Sequence, residues 1–97
     1  MSTIHVVADL RFKEENLEEV ISLLKKMVID TKKEKGCLNY ELVQDFNDKK
    51  VFYTIEEWES QEDLSVHLNS DGVKNLMSTA APFFLQEPEI HQCSKLS

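Results

Sequence analysis

Glu56, Trp58 and His67 are the residues of this chain whose types and spacing could do chemistry together. The run Ile55-Glu56-Glu57-Trp58-Glu59-Ser60 reads as a strand that ends at Trp58 and a helix that begins at Ser60. That helix returns His67 on its apolar side, one turn after Leu64 and beside Leu68. An imidazole of ordinary pKa, about 6.5, takes or gives a proton at neutral pH. A carboxylate beside it would fix its tautomer or raise its pKa. An indole adds a flat apolar surface with a single N–H donor. The set suits proton abstraction from a small, planar, acidic organic molecule, with His67 and Glu56 as the catalytic candidates.

Residues two apart on a strand point the same way, so Glu56 and Trp58 share a face with Phe52 and Thr54. Trp58 and Phe52 are therefore candidate substrate-binding residues, and so are Tyr40 and Asn39 on the preceding strand, one of which supplies a polar wall depending on strand register. The plainer alternative is that His67 and Trp58 are core residues and Glu56 a salt-bridge partner. His5 and His91 lack a metal-ligand spacing such as H-E-x-x-H, and there is no Gly-rich phosphate loop, Ser-His-Asp order or nucleotide fingerprint. No metal and no cofactor is therefore expected. Cys37 and Cys93 read as free thiols; Cys37, after a lysine run and Gly36, has some claim to an activated thiolate.

The elements that must position these groups follow from periodicity. Thr3 to Phe12 alternates, with Ile4, Val6, Ala8, Leu10 and Phe12 on one side, as in a strand with one core face. From Glu14 to Glu34 the period becomes helical through Leu17, Val20, Ile21, Leu24, Met27, Val28 and Thr31. Acidic residues at its start match the helix macrodipole, and Gly36 suits a left-handed terminator. Either Asn16 with Glu19 caps this helix or it begins a turn earlier. Leu38, Tyr40 and Leu42 alternate in a second strand. After the polar turn 47–50, Val51 to Trp58 forms a third, making an antiparallel hairpin. Ser60 and Asp63 are an N-terminal capping pair, Asp71 to Ala81 repeats the helical period, and Glu87 to Cys93 is a short edge strand carrying Pro88.

The order βαββαβ predicts an α+β, ferredoxin-like sandwich: an antiparallel sheet with helices on one face. Strand three is apolar on both sides, with Val51, Tyr53 and Ile55 opposite Phe52, Thr54 and Trp58. A one-sided sheet open to water should alternate with polar residues instead. We therefore expect a homodimer that buries this face, sheet against sheet.

Ninety-seven residues make one domain, 1–97. A net charge of −7 argues against nucleic acid and anionic membrane as partners. The start lacks the basic region and long apolar run of a signal peptide, so a cytoplasmic location is the default expectation.

At the residues singled out above the chain resembles the antibiotic biosynthesis monooxygenase family of small dimeric ferredoxin-like proteins. The marks are Glu34-Lys35-Gly36-Cys37 leading to Tyr40, then Ile55 to Ser60, His67-Leu68 and Lys74. The resemblance implies a dimeric α/β barrel-type assembly. It also implies a quinol-monooxygenase-like activity on a small hydroxylated aromatic, in which the deprotonated substrate reacts directly with O₂. On that model His67 and Glu56 handle protons while Trp58, Tyr40 and phenylalanines position the ring. Many relatives carry a second histidine where this chain has Gly72. The haem-degrading branch has a histidine where this chain has Met77 and an asparagine where it has Ala8 or Asp9. Two further readings are a non-catalytic ligand-binding dimer associated with stress, and a phosphorylated autoinducer sugar isomerase with Lys74 as phosphate partner.

Overall fold

Alternation in the first strand and a helical stripe after it produce the expected layers. The computed structural model describes residues 3–97. Strand β1 (Ile4–Arg11) is followed by a 3₁₀ turn (Glu14–Asn16), helix α1 (Leu17–Thr31), and strands β2 (Cys37–Gln44) and β3 (Val51–Trp58). Helices α2 (Gln61–Leu68) and α3 (Asp71–Ala80), a second 3₁₀ turn (Ala81–Phe83) and strand β4 (Glu89–Cys93) complete the chain. The sheet order is β2-β3-β1-β4 with every neighbouring pair antiparallel, which is the ferredoxin-like arrangement.

The register aligns rows of side chains across the sheet. Leu42, Thr54, Ala8 and Ile90 form one inner row, and Tyr40, Glu56, Val6 and Gln92 the next. Helix α1 buries Val20, Leu24 and Thr31. Leu10, Phe12, Val20, Leu24, Phe52 and Ala80 pack as one cluster, and Val6, Tyr40, Trp58 and Leu64 as another. At a general rate of about 25 cal/mol per Å² of apolar area removed from water, such clusters supply most of the favourable term in folding.

The start of α1 settles the choice left open by the sequence. The Asn16 side chain makes no capping bond, and a 3₁₀ turn entered from Lys13 leads into the helix. Gly36 has φ +83°, so its left-handed backbone is the one expected of a glycine, although α1 itself already ends at Thr31. A Cβ there would also collide with Asp63 on α2. Glu59 N–H donates to Gly36 O at 2.8 Å, tying the α1–β2 connection to the end of β3. Ser60 caps α2 by accepting from Asp63 N–H at 3.1 Å. Ser70 then starts α3 by the same device, so two short helices stand where the βαββαβ reading counts one. Among the described residues, no helix is long and apolar enough to cross a membrane.

Candidate functional site

On the inner face of β3, the two-residue spacing puts Thr54, Glu56 and Trp58 in a column, and the three side chains bond along it. Thr54 Oγ1–H donates to Glu56 Oε2 at 2.7 Å and Trp58 Nε1–H donates to Oε1 at 2.8 Å. Glu56 is buried. Among the described residues no cation pairs with it, and two neutral donors hold it, one on each oxygen. Each oxygen keeps lone-pair capacity for a further donor.

His67 is buried on α2 together with Leu64. Its ring lies over the Trp58 indole, with centroids 4.7 Å apart and planes tilted 30°. The Tyr40 ring meets it edge-on at 5.9 Å. Its carboxylate partner is Glu34, from the α1–β2 connection, with Nδ1 at 3.0 and 3.1 Å from the two oxygens. A carboxylate accepts, so Nδ1 carries the hydrogen and the neutral imidazole keeps its lone pair on Nε2.

The result is a chain of contacts: Glu34 bonds to His67, His67 stacks on Trp58, and Trp58 bonds to Glu56. The indole N–H is a donor only, so Trp58 passes no proton between imidazole and Glu56. Glu56 and His67 are thus neighbours in structure but separate as acid–base groups.

A hollow of about 50 Å³ lies between the inner sheet face and α3. Tyr40, Thr54 and Glu56 form its polar wall; Val6, Ala8, Leu10 and Phe12 on the sheet side and Val73, Leu76, Met77 and Ala80 on α3 make most of the rest. Glu56 is the only charged side chain lining it, among the described residues. Small residues at Ala8 and Ala80, amid larger neighbours, leave this space open.

The structure therefore divides the expected site. Glu56 and Tyr40 line the hollow. Trp58 and His67 lie behind its wall, acting on it through Glu56. Asn39 is exposed on the opposite sheet face, donating to Glu41 at 3.3 Å, because the register turns Tyr40 inward opposite Glu56. Phe52 packs inside the Leu10 cluster and does not line the hollow. Lys74 is exposed and outside the hollow, and Gly72 lines instead a groove between α1 and α3. Burial, with the charges of Glu56 and Glu34, pushes the Cys37 thiol up, which agrees with the reading of Cys37 as a free, inert thiol. Among the described residues, no three His, Cys, Asp or Glu side chains gather as a metal ligand set.

Glu34 is the residue that spacing missed. It lies thirty-three positions from His67, and its signals were its place in the Glu34-Lys35-Gly36-Cys37 mark and an acid two residues before a left-handed glycine.

Burial, and then the charge of Glu56, raises the Tyr40 phenol well above its ordinary range. The folded phenol stays neutral where the unfolded one ionises, so its contribution is intact below about pH 10 and is lost as pH rises beyond it. Wild-type protein should lose about 1.4 kcal/mol more stability than Tyr40→Phe between about pH 8 and about pH 11. Denaturant midpoints at both pH values measure this; equal losses would contradict the assignment.

A ferredoxin-like domain with a carboxylate-walled hollow under its last helix defines a class of small α+β proteins, and the comparisons narrow it. The family model for antibiotic biosynthesis monooxygenase matches residues 3–79, and the chain belongs to that family. A conserved protein from Methanosarcina mazei has 30% identity and a TM-score of 0.91, covering 99% of this chain and 95% of that one. A structure described as an antibiotic biosynthesis monooxygenase has 26% identity and a TM-score of 0.91, covering 97% and 99%. A Pseudomonas aeruginosa protein has 26% identity and the same TM-score of 0.91, covering 100% and 97%. No curated protein matches the chain.

Proposed function

We propose that this protein is a cofactor-independent monooxygenase of a small hydroxylated aromatic or quinol. The observation that carries the reading is the hollow with Glu56 as its one charged wall residue. A hydroxyl entering it meets a carboxylate whose two oxygens are each oriented by a donor, Thr54 and Trp58. Glu56 takes the hydroxyl proton, and the electron-rich anion reacts with O₂. For a quinol the balance closes without another reductant: the substrate gives four electrons, one oxygen atom stays in a hydroxyquinone, and the other leaves as water. Tyr40, whose O–H donates to Met27 Sδ at 3.6 Å, stays neutral on the same wall. His67, with Glu34, holds the indole in place as a positioning residue.

The test is oxygen uptake by metal-free protein with a panel of hydroquinones, run beside Ala8→Leu, which fills the hollow. Wild type should consume oxygen above the autoxidation blank, and Ala8→Leu should not, while losing at most about 1–3 kcal/mol of stability to overpacking. Uptake that survives Ala8→Leu would place the reaction elsewhere.

A second reading is a binding domain without turnover: an apolar cavity of about 150 Å³ admits benzene, whereas this hollow is about 50 Å³, so a ring that reached Glu56 with its hydroxyl would stay largely outside the hollow and away from the enclosed space. That reading is supported if hydroquinones quench Trp58 fluorescence saturably and no product forms.

We also propose that a second copy covers the outer sheet face. Val7 and Ile55 are paired at its centre and are 39% and 42% exposed, with Val43, 40% exposed, beside them. Apolar side chains this exposed on one contiguous face mark an interaction surface. Sedimentation at micromolar concentration should give a dimer mass, and Ile55→Glu a monomer; a wild-type monomer would remove the proposal.

A further inference from the structure

The hollow at Glu56 is bounded on the β4 side by Met77, Phe84 and Ile90, and the same three side chains line an open basin of about 570 Å³. We propose that hollow and basin are one binding site divided by the Met77 side chain, and that it takes an uncharged phenol or quinol bearing an apolar chain. The hydroxyl end reaches Glu56 and the chain lies in the basin. The phenol or quinol class rests on the reading given above; the chain and the absence of charge come from this geometry.

Size is the first argument. The hollow is a fraction of the space an aromatic ring needs, and the basin is the larger space adjoining it. Polarity is the second. The polar groups of the hollow stand together at Tyr40, Thr54 and Glu56, on the sheet side, while the partition is wholly apolar. In the basin Leu85 is 53% exposed and Ile90 42%, apolar area that an aliphatic chain would cover.

Charge is the third. Among the described residues, Glu56 and Glu87 are the charged residues lining the two spaces, and no Lys, Arg or His lines either. A carboxylate or phosphate on the ligand would be desolvated without a partner and repelled by Glu56.

Met77 is the movable part of the partition. Phe84 is stacked on Phe12 with centroids 4.5 Å apart, and Ile90 is held in β4 opposite Ala8. Met77 is half-buried on α3. Its unbranched side chain can change rotamer without moving the backbone.

The test compares anaerobic binding of hydroquinone, octylhydroquinone and a carboxylated hydroquinone by Trp58 fluorescence, with oxygen uptake measured separately. Octylhydroquinone should bind at least about 100-fold more tightly than hydroquinone, and the carboxylated ligand more weakly than hydroquinone. Leu85→Glu should cut the octyl advantage to below about tenfold, and Met77→Ala should raise the association rate of both neutral ligands. Equal affinities, an octyl advantage that survives Leu85→Glu, or good binding of the carboxylated ligand would overturn the proposal. So would association unchanged by Met77→Ala. Chain-dependent binding without oxygen uptake would leave this site standing and remove the oxygenase reading; uptake with no octyl advantage would do the reverse.

Discussion

Trp58→Ala should cost about 4–8 kcal/mol and leave little of the domain folded at physiological temperature. Two effects add. The indole is wholly buried among Val6, Tyr40 and Leu64 and under the His67 ring, so its removal opens a large cavity worth about 3–5 kcal/mol. Its N–H also serves Glu56 Oε1, and leaving a buried acceptor short of that donor costs about 1–3 kcal/mol more. Domains of this size have about 5–15 kcal/mol in total. Trp58→Phe keeps most of the packing and loses the donor, so its cost should fall well below that of the alanine variant. Denaturant melts followed by far-ultraviolet circular dichroism are the right measure, because the chain's only tryptophan is the residue removed. A loss under about 2 kcal/mol would mean that the core collapses around the gap and that the stack is not what holds this end of the sheet.

The sheet and α1 were legible because period-two and helical patterns survive burial: Val6, Ala8, Leu10 and Phe12 are all buried as the alternation required. Alternation failed at two places. It grouped Leu38 with Tyr40 and Leu42, but the register shifts between Cys37 and Asn39, and Leu38 is exposed. Val51, assigned to the outer face with Tyr53 and Ile55, is buried at the hairpin end.

The candidate site was legible to the extent that it lies on one element. Thr54, Glu56 and Trp58 share a strand face, and spacing alone put them together. What joins distant segments was not legible. The Glu34–His67 pair depends on how the α1–β2 connection closes against α2, which no local pattern encodes. The hollow was equally invisible. It arises where Ala8 and Ala80 come together, an absence of side-chain volume that a search for reactive residues passes over.

Glu56→Gln separates the chemical role of that carboxylate from its structural one. The amide is nearly isosteric with the carboxylate. Its oxygen can accept from Trp58 Nε1–H, and its NH₂ can donate to Thr54 Oγ1 once that hydroxyl turns away. Both bonds to residue 56 are kept, so the stability change should be about 1 kcal/mol or less. The base is nevertheless gone. Among the described residues, no other side chain lining the hollow can take a proton at neutral pH: Tyr40 is held neutral by burial, and His67, stacked on the indole face, does not line the hollow. Oxygen uptake should therefore fall about 10²–10⁴-fold, the range for loss of a general base, with affinity for a neutral quinol changed far less. His67→Ala should behave in the opposite sense, costing stability first and turnover only as the indole and then Glu56 lose their positions. If Glu56→Gln kept full turnover while His67→Ala, still folded, lost it, the imidazole would be the base after all, and the substrate would have to approach from the α1–α3 groove where Glu34 lies.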